Sequence, residues 1–260
     1  KDAQLVAARP DEARTAKSLT LPKAPTNVAE VKAHSVTHMP HRDWCAHCVR
    51  GRGRAARHFN ESDAAELPRM STDYLFPGQK EDKRPLTGIS FYDNASMRMA
   101  LAILPRKGVD HPYATAWLKK QLDMGGYTRA LVKNDQEPTL KALRRLALSQ
   151  EPKSATAFTL EESMAGDSQT NGEIEAVNGV LEGLLRTHKS QLDANFGFKV
   201  PSDHPIMSWL APFVGILHCT HSVGPDGRTP YERLHGHKFN RALAHIGESI
   251  HYKPLKKEAK

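Results

Sequence analysis

The sequence predicts an α/β fold, in which helices pack on the faces of a sheet. After residue 67, short β-favourable runs and helical patterns follow in the order β, β-hairpin, α, β, α, β, α. One helical pattern, Ser168 to His188, carries apolar residues at helical spacing on one face. A chain of 260 residues with 39% hydrophobic residues can bury one substantial core with smaller attachments.

Composition narrows the class of partner. The formal net charge is +8, with basic residues clustered at both ends, which favours a polyanion such as nucleic acid; a generic basic protein is the alternative. No run of about 18 apolar residues occurs, so we expect no membrane span. Because the chain begins with Lys1, we expect a piece of a longer protein. Three cysteines, two of them in a Cys-x-x-Cys motif, indicate a reducing compartment.

The N-terminal part contains a group of metal-ligand residue types. Residues 1–30 mix charges, Pro and Ala, and we expect a flexible leader there. Imidazole and thiolate are the ligands that Zn²⁺ prefers. The preferred set in the next segment is His34, His38, Cys45 and Cys48. His41 is the first substitute, because Pro40 interrupts any helix that would hold two histidines on one face. A redox or incidental cysteine pair is the other interpretation.

A basic run follows the cysteines and completes a predicted zinc-binding segment and linker over residues 31–60. Its arginines are Arg50, Arg52, Arg54 and Arg57, interleaved with glycines. Such a run suits contacts with phosphates. A solvated linker is an equally ordinary explanation.

The first predicted strands carry two aspartates of different kinds. The run LPRMSTDYLFPG predicts a strand with Asp73 inside it or at its end. Two further strand-like runs flank the turn Asp93-Asn94-Ala95-Ser96, which explains Asp93. A helix ending at Gly-Gly and the strand TRALVKND follow, and Asp135 lies at the carboxyl end of that strand.

The central helix is the element on which the site depends. A helix with Pro138 in its first turn and the strand SATAFTLEES precede it. Thr170 and Glu173 match a capping box, so the helix is expected to open near Asn171. Its predicted apolar face consists of Ile174, Val177, Val180, Leu181, Leu184 and Leu185. Glu175 lies off that face, which by itself is typical of a solvated residue.

The remaining chain predicts one more long helix and a turn-rich end. The helix, SDHPIMSWLAPFVGILHCTHS, is expected to be capped by Asp203 and kinked near Pro212. Its predicted core residues are Ile206, Trp209, Leu210, Phe213, Ile216 and Leu217. Cys219 and its neighbouring histidines favour packing and surface roles over a second metal site. DGRTPYERLHGHKFN is rich in turn signals, and the last residues could begin a small β module.

Three carboxylates could meet at one edge of the predicted sheet. Asp73 and Asp135 lie at strand ends, and polar groups at the carboxyl ends of strands collect at a common edge. Glu175 lies on a helix beside the sheet. Three converging carboxylates can hold two divalent cations for displacement at phosphorus, and Mg²⁺ suits such oxygen ligands.

The order of these motifs resembles the integrase of long-terminal-repeat retrotransposons and retroviruses, over roughly residues 34–252. An HHCC-like segment comes first, and STDY, KNDQEP and SQTNGEIEAVN follow with the three acidic residues. RTPYERLHGHK is similar to the segment after the catalytic core of copia-like elements. The resemblance implies an RNase H-like core over residues 67–223, with a mixed five-stranded sheet flanked by helices. Residues 224–260 would begin a C-terminal module.

The resemblance also implies an activity. Asp73, Asp135 and Glu175 would bind two Mg²⁺ or Mn²⁺ ions, and the enzyme would trim element DNA ends and join them to target DNA. Asn171 would contact the DNA ends, and the Zn²⁺ segment would support multimerisation and DNA binding. A homo-oligomer on double-stranded DNA is expected, acting in the nucleus after release from an intracellular Pol polyprotein or particle.

Two alternatives accompany this interpretation. One is a decayed or repurposed element that binds nucleic acid without catalysis. The other is an RNase H-type nuclease, which the cysteine motif and the Thr-Pro-Tyr-Glu segment disfavour.

Overall fold

The computed structural model describes residues 23–51, 67–78, 86–135, 137–150, 157–162 and 168–251. Most of the expected leader therefore lies outside the described residues, as do Arg52, Arg54 and Arg57. The expected leader ends inside a helix, because α1 begins at Val28.

Seven helices and five strands make up the described chain. The N-terminal part contains α1 (Val28–Thr37) and α2 (Ala46–Gly51). The central part contains β1 (Arg69–Leu75), β2 (Thr87–Asp93), β3 (Arg98–Leu104), α3 (Pro112–Asp123), β4 (Arg129–Asn134), α4 (Pro138–Ser149) and β5 (Ala157–Glu162). The rest contains α5 (Ser168–Phe196), α6 (Met207–His221) and α7 (Pro230–His235). The predicted order of strands and helices is confirmed.

The five strands form one mixed sheet in the order β3-β2-β1-β4-β5. β2 pairs antiparallel with both β1 and β3, whereas β4 pairs parallel with both β1 and β5. The predicted fold class, a mixed five-stranded sheet flanked by helices and preceded by a His/Cys segment, is confirmed. Parallel pairing of β1 with β4 brings the carboxyl ends of these two strands to the same edge.

Helices cover both faces of the sheet. On one face α3 and α4 bury Leu118, Leu122, Leu140 and Leu143 against Phe91 and Val132. On the other face α5 and α6 bury their apolar residues against Leu75, Tyr92 and Leu101. None of the described helices combines the length and apolar character needed to cross a bilayer.

The β2–β3 hairpin turns as the sequence predicts. The buried Asp93 carboxylate accepts hydrogen bonds from the Ala95 amide (3.2 Å), the Ser96 hydroxyl (2.5 Å) and the Tyr127 hydroxyl (2.8 Å). These bonds hold the turn closed, so Asp93 has a structural role there.

The apolar face of α5 is confirmed, but its predicted start is wrong. Ile174, Val177, Leu181, Leu184 and Leu185 are buried, and Val180 packs beside them. The helix already begins at Ser168, so Thr170 lies within the first turn and is not the N-cap. Glu173 instead approaches Arg69 of β1, at 3.9 Å. The helix also continues to Phe196, past the predicted end.

Two expectations for α6 are wrong. The helix begins at Met207, and its N-cap is Ile206 without a side-chain hydrogen bond, so Asp203 does not cap it. Trp209 and Ile216 are 75% and 52% exposed. The buried face instead carries Met207, Leu210, Ala211, Val214 and Leu217. Pro212 lies inside the helix, as expected.

The segment after the core contains a short helix where the sequence predicts only turns. Thr229 caps α7 through a capping box with Glu232, and the helix ends at Gly236 in the left-handed region (φ 73°). Arg233 donates to the Ser96 carbonyl (3.1 Å), which fastens α7 to the β2–β3 turn. The described residues from 237 to 251 contain no strand, so the expected β module is not found in them.

Candidate metal centres

The four predicted zinc ligands come together at the junction of α1 and α2. His34 lies in the last turn of α1, and His38 ends that helix in a left-handed conformation (φ 52°). Cys45 directly precedes α2, and Cys48 lies within it. All four residues are buried, and each offers a ligand atom within 4.8 Å of the others. Pro40 follows the end of α1, so it does not prevent the two histidines from meeting.

The distances in this group fit a tetrahedral zinc site. The Cys45 Sγ to His38 Nδ1 and Cys48 Sγ to His34 Nε2 distances are both 3.4 Å, and Cys48 Sγ to His38 Nδ1 is 3.7 Å. A Zn–S bond of about 2.3 Å and a Zn–N bond of about 2.0 Å at a tetrahedral angle give an S···N separation of about 3.5 Å. The donor set and the spacing therefore both suit Zn²⁺.

The protonation state of His38 also suits a ligand. Burial, with His188 next in importance, lowers the pKa of His38 to about 3, so its imidazole is neutral as metal binding requires. The alternative ligand His41 is outside the group. It lies 3.3 Å from the Asp43 carboxylate and is partly exposed.

The register of the sheet places the two aspartates side by side. Thr72 of β1 is opposite Asn134 of β4 in a parallel pair, so the next residues, Asp73 and Asp135, occupy neighbouring positions. Asp73 is partly buried within β1, and Asp135 is exposed immediately after β4. Both aspartates thus lie at the predicted edge of the sheet.

Negative charge accumulates around Asp73. Burial raises the pKa of Asp73, and the Asp135 and Glu137 carboxylates raise it further; hydrogen bonds from the Tyr74 amide and Asn178 oppose this shift. A bound divalent cation would relieve this repulsion, and carboxylate oxygens are suitable ligands for Mg²⁺. The carboxylates at this edge of the sheet therefore suit Mg²⁺, the ion expected from the sequence.

Helix α5 reaches the same edge through Asn178. The Asn178 Nδ2 atom donates to Asp73 Oδ2 at 2.9 Å. Glu175 lies three residues earlier and is exposed, and residues three apart are neighbours on a helix surface. The structure thus places Glu175 one turn from the contact between α5 and Asp73.

The carboxylates do not form a compact ligand group. Within the described ranges, the His/Cys set is the one group of three or more ligand-type residues close enough to hold an ion. Asp73, Asp135 and Glu175 are not among the residues brought that close together.

Two residues at this edge were missed from the sequence. Asn178 could have been noted because it lies one turn after Glu175. Glu137 could have been noted as a further acid in the KNDQEP motif.

Lys107 Nζ contacts both Glu137 oxygens, at 2.7 and 2.9 Å, and lies 4.8 Å from the centre of the Tyr74 ring. Burial would raise the pKa of Glu137, but hydrogen bonds from Lys107 and Thr139 outweigh it and lower that pKa.

The predicted nucleic-acid contacts are only partly described. Arg50 is exposed near the end of α2. Asn171 lies in the first turn of α5, and its side chain is outside the described part.

Comparison with known proteins gives structural similarity only. No family model and no curated protein matches the chain. A chain of the simian T-cell lymphotropic virus intasome in complex with PP2A regulatory subunit B56 gamma is 14% identical (TM-score 0.46), over 85% of this chain and 78% of that one. The HTLV-2 integrase catalytic core domain in complex with magnesium is 13% identical (TM-score 0.43), over 65% and 97%. The catalytic core domain of BIV integrase is 16% identical (TM-score 0.41), over 63% and 91%. At these values the similarity carries no argument about activity.

Proposed function

We propose that this chain is the integrase of a copia-like long-terminal-repeat retrotransposon, released from a Pol polyprotein. The observation that carries this proposal is the edge of the sheet where β1, β4 and α5 meet. There Asp73 lies in β1 and Asp135 directly follows the neighbouring parallel strand β4. Asn178, one turn after Glu175, donates a hydrogen bond to Asp73. In this proposal residues 1–30 are a flexible leader and residues 31–60 the zinc-binding segment with a basic linker. Residues 67–223 are the catalytic core, and residues 224–260 begin a C-terminal module.

The reaction would be a transesterification at phosphorus. Asp73, Asp135 and Glu175 would hold two Mg²⁺ or Mn²⁺ ions, which supply charge stabilisation for the attacking and leaving oxygens. The 3′-hydroxyl oxygen of a processed element end would bond to a target phosphorus. The target's own bridging P–O bond would break, leaving a new 3′-hydroxyl. Asn178 would keep the Asp73 carboxylate in one orientation, and Lys107 would neutralise Glu137 beside it.

Double-stranded DNA would be the partner, both as element ends and as target. Asn171, Arg50, Arg52, Arg54 and Arg57 would contact it, and the net charge of +8 supports binding to phosphates. We also propose a homo-oligomer, acting in the nucleus at the integration step and otherwise retained in an intracellular polyprotein or particle.

A catalytically decayed or repurposed nucleic-acid-binding protein is the second candidate. Where the family carries basic residues on the central helix, this chain has Ala176 and Glu182. Glu182 contacts Arg186 at 3.4 Å, which neutralises that side of the helix. The open arrangement of the three carboxylates also favours this candidate.

A strand-transfer assay with labelled DNA ends in Mg²⁺ or Mn²⁺ separates the two candidates. We expect Asp135→Asn and Glu175→Gln to lose on the order of 100-fold or more, as is typical of groups that stabilise transition-state charge. Asp203→Asn removes an exposed carboxylate before α6 and serves as the charge-matched control. Equal activity in all four proteins would refute the ligand assignment. DNA binding without joining by the unmutated chain would establish the decayed candidate.

A further inference from the structure

The C-terminal half of α5 forms the surface on which the zinc-binding segment lies. A Cβ atom built on Gly51 of α2 would lie 2.0 Å from Thr187 Oγ1 and 2.8 Å from the Gly183 carbonyl oxygen, so only glycine permits this approach. Arg186 Nε donates to the Gly51 carbonyl at 3.2 Å. His47 Nδ1 lies 3.0 Å from the Ser190 hydroxyl. The segment is thus packed tightly against the helix that carries Glu175.

Gln191 lies at the centre of this contact. It is 5% exposed, and its amide contacts three residues in two separate parts of the chain, the end of α1 and the segment after α7. Oε1 lies 3.2 Å from Nε2 of His38, and Nε2 donates to the Ser35 carbonyl at 2.7 Å. Nε2 also lies 3.2 Å from Nδ1 of His245, in the segment after α7.

The ligand geometry sets the direction of these hydrogen bonds. Nδ1 of His38 faces the sulfur atoms, so it is the nitrogen that would bind the metal, and Nε2 must then carry the proton. The Nε2–H group donates to Gln191 Oε1, which directs the two Gln191 Nε2 hydrogens to the Ser35 carbonyl and to His245 Nδ1. A hydrogen-bond partner of this kind orients a ligating histidine and raises its basicity.

We propose that Gln191 is a positioning residue that couples the zinc centre to the core and to residues 243–248 within one chain. The proposal rests on the zinc part of the proposed function but not on DNA joining. Zinc bound at His38 fixes the Gln191 amide, and the amide holds His245. The turn at His245 is closed by its own bonds, His245 N–H to Glu248 Oε2 (2.9 Å) and Glu248 N–H to the His245 carbonyl (3.1 Å). The zinc-binding segment is therefore packed directly on the core through its contacts with α5.

The test uses the zinc-loaded full chain and two variants at Gln191. Gln191→Leu keeps the size of the side chain but removes all its hydrogen bonds. Gln191→Glu keeps the acceptor for His38 and removes the donor to Ser35. Asn195→Ala, an exposed amide one turn later on α5, is the matched control. Zinc affinity is measured by competition with a chromogenic chelator, and hydrogen exchange is followed over residues 243–248 before and after zinc removal.

We expect Gln191→Leu to weaken zinc binding about 10- to 100-fold, the usual effect of losing such a partner. Zinc binding by Gln191→Glu should stay within a few-fold of that of the unmutated chain, because its carboxylate still accepts the hydrogen bond from His38 Nε2–H. Zinc removal should speed exchange over residues 243–248 in the unmutated chain and in Asn195→Ala. In the Gln191→Leu variant, hydrogen exchange over residues 243–248 should already be fast. Zinc removal should change it little.

Weaker zinc binding by Gln191→Glu than by Gln191→Leu would overturn the proposal. A role in packing alone predicts that Leu, which is apolar, is tolerated better than Glu, which buries a charge. Unchanged exchange over residues 243–248 after zinc removal from the unmutated chain would overturn it as well, and this arm does not depend on the folding of any variant. Loss of DNA joining with these zinc effects intact would refute the proposed enzyme and leave the coupling standing.

Discussion

At the scale of single residues, Asn178 is the described side chain that joins α5 to the acidic edge. Its amide donates to one Asp73 oxygen, while the Tyr74 amide donates to the other at 2.8 Å. Both bonds favour the ionised carboxylate against burial and against the neighbouring carboxylates. The orientation and the charge of Asp73 therefore both depend on α5.

We expect Asn178→Ala to weaken divalent-ion binding by on the order of 10-fold, about the cost of losing one hydrogen bond to a charged group. Loss of the donor raises the pKa of Asp73 further, and the ion binds the ionised form. The acid limb of the pH–activity profile should therefore move to higher pH. Mg²⁺ titrations and pH profiles would measure both effects, with Asn195→Ala as the control. An unchanged Mg²⁺ dependence would show that Asn178 does not position Asp73.

Single residues also show what the sequence could predict about the sites. The His/Cys group was predictable because four residues of the types that bind Zn²⁺ are unusual within one short segment. The neighbouring positions of Asp73 and Asp135 in the fold were predictable because each lies at or near a strand end. Asn178 and Gln191 were not, because a polar residue on a helix acquires a role only through a partner that is distant in sequence.

At the scale of elements, two identical sequence patterns have different outcomes. Thr170-x-x-Glu173 and Thr229-x-x-Glu232 both match a capping box, but only the second one caps a helix. Pro230 at the first helical position lacks an N–H group and disfavours helical geometry at the residue before it, so the chain must start the helix there. Nothing comparable precedes Glu173, and α5 extends back to Ser168.

The capping box makes α7 sensitive to acid. The backbone hydrogen bond from Thr229 lowers the pKa of Glu232, and Arg233 lowers that of Asp226. A carboxyl group whose pKa is lowered by folding stabilises the folded state at pH values above its ordinary pKa of about 4. This stabilisation is lost as the pH falls through the lowered pKa. We therefore expect protection factors of α7 amides to fall as the pH drops below about 4. Glu232→Gln should flatten this dependence, and an unchanged slope in that variant would exclude Glu232 as its source.

Helix α6 shows why a strongly apolar helix is hard to orient from sequence. Trp209 and Ile216 share a stripe seven residues apart, and Met207, Leu210, Ala211 and Val214 form another. Both stripes fit helical spacing, so periodicity cannot choose between them. The small residue Gly215 determines which stripe faces the sheet, because it lets α6 approach β3. A Cβ added at this position would lie 3.3 Å from Ala100 Cα.

At the scale of the whole molecule, the arrangement of the core was predictable and the docking of the zinc-binding segment was not. Element order and short connections leave few ways to form the sheet. The contact of α2 with α5 depends on the absence of a side chain at Gly51, which no periodic pattern marks.

Two glycine substitutions, one in α2 and one in α5, should have opposite effects on the free energy of unfolding. Gly51→Ala forces a methyl group into Thr187 and the α5 backbone, and we expect it to cost about 1–3 kcal/mol in the free energy of unfolding. Gly179→Ala lies within α5 with open space around it, and we expect it to add about 0.5–1 kcal/mol. Denaturant unfolding of the zinc-loaded chain would measure both. Equal stabilities would mean that α2 does not pack on α5 in solution.

The length of α5 constrains how this chain can vary. The helix spans 29 residues, about 43 Å, and about 24 Å of its axis separates Glu175 from Gln191. Inserting or deleting one residue in this interval would rotate the two ends by about 100° relative to each other. Either α5 would lose its contact with Asp73, or Gln191 would lose its contact with His38. Sequence change along the exposed side of α5 can therefore proceed by substitution, whereas changes in length would separate the two centres at once.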